Sequence, residues 1–458
     1  MYEQDTIAAI ATPPGEGGVA IVRVSGVEAE NIATRIFTRS RGRNGRLKSH
    51  TLYHGRIRDP RSENVLDEVL LTIMRTPRSY TGEDVVEVHC HGGAFLVREI
   101  LGVILSQGAR QAEAGEFTKR AFLNGKVDLA QAEAVVDLIR ARTTKGVELA
   151  LNQARGELSK HIINLREELV DLMVQVEAAI DFPEEEIELL QRQPLMEKIR
   201  YLAGKLSAIA DTYEWGRLFR EGAKVCICGR PNVGKSSLLN ALLGHERAIV
   251  TPVPGTTRDV VEESLNLNGL PVILWDTAGI RDTNDQIERL GVELSRQHLE
   301  HADVAIVVFD GTEPMAEEDK DILRSIGKKK HILAINKIDL ARRLAVGDIA
   351  SADNGSIICL LSAKSGVGIE PLKSNLRDLI LEYKSEPSIA VTNVRHRSQL
   401  IRSAESLYAA VATLAAGLPP ELAAVDLSEA GKALGEIIGI VTSEDILERI
   451  FENYCIGK

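Results

Sequence analysis

The chain has 458 residues, 44% hydrophobic and 26% charged, which is ordinary globular composition and enough length for about three domains. Its formal net charge of −11 argues against a generally adhesive nucleic-acid binder, and five cysteines in such a length do not make a disulfide framework. No uncharged apolar stretch is long enough to span a bilayer. The start, Met1-Tyr-Glu-Gln-Asp-Thr6, also has neither a basic nor an apolar leader region, so a cytoplasmic protein without membrane contact is expected.

Residues 1–120 carry short β-like runs (Thr6 to Ala11, Val19 to Val24, Val65 to Met74, Val85 to Cys90), punctuated by Pro13-Pro14-Gly15 and Gly92-Gly93, the pattern of an α+β domain. Inside it, Arg35 to Arg61 holds nine Lys/Arg against one acid, Asp59. Phosphate contact and a solvated basic loop both fit this stretch. Few aromatics interleave with the charges, Tyr53 being the one set among their second half, which favours the loop. His89-Cys90-His91 has the residue types of a metal site, but neighbours in a strand point to opposite faces, which favours packing. Residues 121–218 are helical in pattern: Leu129, Ala132, Val136 and Ile139, then Leu165, Leu169, Leu172 and Val176, recur at three- and four-residue steps. The acidic run from Asp181 to Glu188 reads as a helix stop at Pro183 followed by a charged first turn. Residues 219–383 have the look of a self-contained α/β segment. Residues 384–458 are helical again, through Ala404 to Ala416 and Asp445 to Phe451, so the helical parts read as one domain interrupted by an insertion.

The α/β segment carries the chemistry. Gly229-Arg-Pro-Asn-Val-Gly-Lys-Ser236 is a complete G-x-x-x-x-G-K-[ST] loop between the apolar run Ala223 to Cys228 and the helix-like Ser237-Leu-Leu-Asn-Ala-Leu-Leu243. Glycines let successive N–H groups point at a phosphate chain, Lys235 adds charge at the β/γ oxygens, and the Ser236 hydroxyl suits Mg²⁺. Cys226 and Cys228 alternate with Val225 and Ile227, which packing explains. Asp276-Thr277-Ala278-Gly279 closes a second apolar run, the form taken by a metal-side acid and a γ-phosphate sensor. Asn336-Lys337-Ile-Asp339 ends a third and resembles the guanine-reading motif of GTPases, in which Asp339 takes the donors of the guanine edge. Ser362-Ala363-Lys364, after Ile357 to Leu361, resembles their last base-contacting loop.

Small GTPases place a water-orienting Gln just after the Asp-x-x-Gly glycine, whereas here Ile280 follows Gly279. Asn232, with Gly255-Thr256-Thr257-Arg258-Asp259, resembles the subgroup in which K⁺ and pairing of GTPase domains replace the arginine finger. That resemblance implies K⁺ at Asn232, Thr251, Val253 and Thr256, with Thr257 joining Ser236 around Mg²⁺. It extends the GTP contacts over Val233, Gly234, Ser237, Pro252, Pro254 and Gly255. It also makes Glu288 a catalytic glutamate beside Asn232 and Lys235; by spacing alone, Glu288 reads as a solvated helix charge.

The whole chain resembles the MnmE (TrmE) family of tRNA-modifying GTPases, on Thr12-Pro-Pro-Gly-Glu-Gly-Gly-Val19, Thr81-Gly-Glu-Asp-Val-Val-Glu87, Gly115 to Lys126 and Cys455-Ile-Gly-Lys458. The implied architecture is an α+β tetrahydrofolate-binding-like, dimerising domain (1–120) and an α-helical bundle domain (121–218 and 384–458), with an inserted α/β P-loop GTPase domain (219–383). The resemblance further implies a homodimer and a heterotetramer with an MnmG-type flavoprotein carrying FAD. It implies that an aminomethyl-type group is built on the wobble uridine of certain tRNAs from a one-carbon tetrahydrofolate. Arg23, Glu87, Lys126 and Lys458 become folate contacts: a carboxylate suits the pterin edge, and a cation suits the glutamate tail. Cys455 fits either a nucleophile or a structural thiol. A regulatory GTPase of ribosome assembly is the alternative, but it has no need of the final Gly-Lys or of a folate-like domain.

Overall fold

Alternation of buried and outward residues sets the first sheet. In β2 (Gly17–Ser25), Ala20, Val22 and Val24 face one side and Ile21 and Arg23 the other. In β6 (Val85–Gly92), Val86, Val88 and Cys90 share the buried side, leaving Glu87 and His89 opposite. With β1 (Ile7–Ile10), β3 (Phe37–Arg39), β4 (Leu52–Arg58), β5 (Val65–Met74) and β7 (Arg110–Gln111), they form a seven-stranded sheet of order β3-β4-β5-β6-β2-β1-β7. All its pairs are antiparallel except β1 with β7. Helices α1 (Ala29–Ile36) and α2 (Ala94–Ser106) close the apolar face through Ile32, Ile36, Val97, Ile100 and Ile104. Part of the other face is covered by Ala112, Tyr80 and Phe117, the last from α3 (Glu116–Leu123).

The computed structural model describes every residue except 1–4, 41–45, 182–191, 245–262, 277–297, 354, 383–385, 442 and 453. Its residues group into two compact units, Met1–Val136 with Gln153–Leu190 and Ala416–Lys458, and Asp137–Asn152 with Gln191–Ala415. Between α3 and the second sheet come α4 (Leu129–Arg140), α5 (Thr144–Ala154), α6 (Glu157–Asp181), α7 (Arg192–Asp211) and α8 (Tyr213–Glu221). The predicted turn after Pro183 lies outside the described residues.

One reading of the first unit needs correction. The basic stretch is not a loop throughout, because it contains β3 and β4. Ile57 and Gly55 are its inward residues in β4, and flanking charges at Arg56 and Arg58 hide that period of two. His89 and His91 turn away from Cys90, and no group of three or more metal-ligating side chains occurs among the described residues. Burial, with Asp67 nearby, pushes the Cys90 thiol up to about 11.

The second sheet has the order β13-β12-β11-β8-β10-β9, built from β8 (Ala223–Cys228), β9 (Glu263–Leu267), β10 (Leu270–Asp276), β11 (Val304–Asp310), β12 (His331–Asn336) and β13 (Ile357–Leu360). It is parallel apart from β9. Near-continuous apolar strands such as Val304–Asp310 are what a sheet buried on both faces requires. α9 (Lys235–Leu243) and α12 (Ile369–Ile380) cover one face; α10 (Glu317–Ile326) and α11 (Val346–Ala352) cover the other. Strand β8 lies between β10 and β11, where the chain order reverses, so its carboxyl end opens the crevice in which doubly wound sheets bind ligands.

Helices from before and after this α/β segment pack in pairs. α7 meets α13 (Val394–Ala415) in the second unit, while α6 meets α14 (Pro420–Ile438) in the first, where α15 (Glu444–Phe451) also lies.

Candidate functional site

The β8–α9 connection folds back on itself. Gly234 at φ +101° precedes the helix, in the left-handed region that favours glycine, and a Cβ there would also strike the Asn336 amide. Val233 is buried, and Lys235 donates from Nζ to the carbonyls of Gly229 (2.9 Å) and Arg230 (2.8 Å), closing the loop with its ammonium inside. Ser236 and Ser237 open α9, whose unpaired N–H groups and dipole favour an anion. Asn232 takes φ +64°, and its exposed amide has no partner among the described residues. From outside, Arg230 holds the loop to Asp319 of α10 at 2.9 Å.

Asn336 joins the loops. Nearly fully buried, it donates from Nδ2 to the Val233 carbonyl (2.9 Å) and accepts at Oδ1 from the Ala363 N–H (2.9 Å). Lys337, at φ +63°, donates from Nζ to the Asn232 carbonyl at 2.9 Å and to Asp310. Burial alone would raise the Asp310 carboxyl, but Lys337 and Thr312 hold it below the usual carboxylate range. Asp339 is exposed, and the hydroxyl of buried Ser362 keeps its carboxyl ionised below the ordinary value. Lys364 stands exposed beside that loop. Asp310 escaped the sequence reading, although Asp310-Gly311 ends an apolar strand much as Asp276 does.

Other candidates cannot be placed. Thr251, Pro252, Val253, Pro254, Gly255, Thr256, Thr257, Thr277, Ala278, Gly279 and Glu288 lie outside the described residues, and Asp276 is described only as the last residue of β10.

A second cluster lies on the half-covered face of the first sheet. Arg23 and Glu87 are directly opposite across β2 and β6, and Arg23 Nε meets Glu87 Oε1 at 2.9 Å. The guanidinium stands 5.5 Å from the Tyr80 ring and 5.6 Å from Phe117, and Nη1 donates to the Gly457 carbonyl at 3.4 Å. His89 is bonded to the other Glu87 oxygen at 3.3 Å. The segment Cys455–Lys458 is laid in place by an antiparallel bridge between Ala114 and Ile456, and by the Phe117 N–H on the Lys458 carbonyl at 3.2 Å. Gly457, at φ +97°, lies so close to the Ile10 carbonyl that no Cβ fits. Lys126 donates instead to the Pro77 carbonyl at 2.9 Å, and Cys455 is exposed. Tyr80 and Phe117 were missed as site residues, and His89 was weighed only as a metal ligand; Phe117 stood inside the Gly115 to Lys126 string, and Tyr80 one residue before the Thr81 to Glu87 string.

The TrmE N-terminus model (GTP-binding protein TrmE N-terminus) matches residues 6–126, and the MnmE helical domain model matches residues 129–455. The chain belongs to the MnmE family. Curated family members align end to end. Proteins named tRNA modification GTPase MnmE from Alkaliphilus oremlandii and Geobacillus kaustophilus are each 45% identical, with 100% of both chains covered. The one from Clostridioides difficile is 46% identical at the same coverage. Among solved structures, Aquifex aeolicus Era bound to GDP·AlF4⁻ is 31% identical over 40% of this chain and 66% of its own, with a TM-score of 0.29. The G domain of the T. maritima FeoB iron transporter is 28% identical over 36% of this chain and 99% of its own, at 0.27. Among the described residues of this MnmE-family chain, no helix is long and apolar enough to cross a membrane.

Proposed function

We propose that the chain hydrolyses GTP within a tRNA-modification system, working as a homodimer with an MnmG-type, FAD-bearing flavoprotein on the wobble uridine of certain tRNAs, in the cytoplasm. The observation that carries the reading is Asn336. It ties the phosphate loop to the Ser362–Lys364 loop, whose Ser362 hydroxyl bonds the Asp339 carboxylate, and we read Asp339 as the residue that meets the base. Guanine offers two donors to such a carboxylate, and adenine does not.

Lys235 and the N–H groups at the start of α9 bind and orient the phosphates. Lys337 fixes the Asn232 carbonyl and so the shape of the loop. The Ser236 hydroxyl and the exposed Asn232 amide fit Mg²⁺ and K⁺ respectively, with Thr257 for the first and Thr251, Val253 and Thr256 for the second. Those ions would neutralise charge on the transferring phosphoryl group. Glu288 is proposed to orient the attacking water.

The Arg23–Glu87 cluster supports a tetrahydrofolate derivative as a second ligand. A half-buried carboxylate can accept from a pterin edge, and a guanidinium between aromatic rings can take a carboxylate, with Lys126 and Lys458 as further cations. We also read 219–383 as a GTPase domain inserted into a helical framework of 121–218 and 384–458, behind a folate-type domain of 1–120. GTP turnover in K⁺ and in Na⁺, together with mass analysis of tRNA nucleosides from cells lacking the protein, tests the reading. Equal turnover in both salts removes the K⁺ assignment, and unchanged wobble nucleosides remove the tRNA role.

A further inference from the structure

In a chain of net charge −11, the nine cations between Arg35 and Arg61 are not an average surface. Part of that charge is neutralised: Arg35 pairs with Glu28 at 3.7 Å and Arg56 with Glu68 at 2.8 Å. Arg46, Lys48, Arg58 and Arg61 make no ion pair among the described residues. The acid in the stretch, Asp59, is turned to the Arg61 amide and the Ser62 hydroxyl. Tyr53 is no lone aromatic in a loop. Arg39 lies 4.3 Å over its ring and donates to the Arg46 carbonyl, and the Tyr53 hydroxyl accepts from the Lys48 N–H at 2.8 Å. An aromatic plane is thus locked among Arg39, Arg46 and Lys48 at one end of β4, with Arg58 and Arg61 at the other. The five residue steps from Tyr53 to Arg58 measure about 17 Å at the rise of a strand.

We infer that this β3–β4 margin is an RNA-contacting surface, whose cations meet the phosphates of a helical segment of tRNA while the Arg39–Tyr53 stack offers a face to a base. A polyanion of regular charge spacing answers two groups of cations that make no ion pair among the described residues, and a planar cation stacked on an aromatic ring suits nucleobases better than lipid headgroups. The identity of the polyanion rests on the tRNA reading above; the charge pattern does not.

The test is equilibrium binding of unfractionated tRNA to the full chain at increasing KCl, for the wild type and for the triple variant Arg46→Gln, Lys48→Gln, Arg61→Gln. Each lost phosphate contact lowers the log–log salt slope by about 0.7 to 0.9, so the variant should bind with a slope smaller by about 2 and, near 0.1 M salt, on the order of a hundredfold more weakly. GTP turnover should not change, since none of the three residues is among those assigned to the nucleotide. Wild-type slope and affinity in the variant would overturn the inference, as would a wild type that does not bind tRNA at any salt. It would also be overturned if the substitutions abolished binding to phosphatidylglycerol vesicles and left tRNA binding intact. Nucleoside analysis of a deletion strain tests the tRNA reading separately.

Discussion

Asn336→Ala is the most direct test of how the nucleotide crevice is held together. The side chain is 2% exposed, and both of its polar atoms are used, at 2.9 Å each, on main-chain groups of two different loops. Truncation leaves the Val233 carbonyl and the Ala363 N–H facing a void. A buried polar group stripped of its partner costs about 1–3 kcal/mol, so two cost about 2–6 kcal/mol if neither recovers a partner. Water entering the gap would return part of this, leaving about 2–4 kcal/mol, or roughly 30- to 1000-fold in guanine-nucleotide affinity if the loss falls on the assembled crevice. Titration with a fluorescent GDP analogue measures it, alongside the thermal midpoint of the apo protein. Asn336→Asp should be no better than alanine, because it places a second oxygen against the Val233 carbonyl. Affinity within about threefold of wild type, equivalent to under about 0.7 kcal/mol, with an unchanged midpoint would refute the claim that Asn336 joins these loops.

On the base side, Asp339→Asn should lose GTP and gain xanthosine triphosphate, since an amide donor then stands where an acceptor was needed; undiminished GTP binding would remove the role of Asp339. Deleting Gly457 and Lys458 removes the carbonyls that Arg23 and the Phe117 N–H use. Folate titration should weaken while GTP turnover persists, and an identical folate affinity would count against the second site. Acid should attack the first unit through Asp5 and Glu116. Burial raises both carboxyls, but hydrogen bonds from Arg110 and Arg120 outweigh it and hold them below their ordinary 3.8 and 4.5. Because the folded values are depressed, their contribution to stability is complete above about pH 4.5 and is lost as pH falls below 3.8. Arg120→Met removes a fully buried guanidinium from three partly exposed carboxylates, should cost about 3–5 kcal/mol, and should move acid unfolding to higher pH; hydrogen exchange at β1 and α3 reads both.

The phosphate loop was legible because everything it needs is contiguous. Glycines at 229 and 234, a lysine and a strand–helix frame are local instructions for main-chain geometry, and the loop closes within eight residues. Strand ends at Asn336 and Ser362 were legible for the same reason, whereas the link between them through one buried amide was not, since no string announces which carbonyl a side chain will find. The basic stretch misled because its strand has few inward apolar residues: with Gly55 lying against Phe37, β4 shows one buried aliphatic, Ile57, among four outward or charged positions.

The second cluster marks where sequence reading stops. Arg23 and Gly457 are 434 residues apart, and the tyrosine and phenylalanine that flank the guanidinium come from two further segments. Half of the pairing was nevertheless implicit. Ala20, Val22 and Val24 fix the phase of β2, and Val86, Val88 and Cys90 fix that of β6, so Arg23 and Glu87 had to leave the core on the same face of the sheet. The phase does not say which residue of β6 stands opposite Arg23: a slip of two residues would preserve every buried contact type and set Arg23 against Val85 or His89 instead of Glu87. Register is decided by the antiparallel ladder that runs unbroken from Ala20↔Cys90 to Ser25↔Val85; the Gly17↔Gly92 pair, where a side chain on Gly92 would meet the facing main chain, lies beyond a shift of register. The charge pair at the centre of the second site is therefore specified by the six consecutive pairs from Ala20↔Cys90 to Ser25↔Val85, a property of two strands together that neither strand's own string contains.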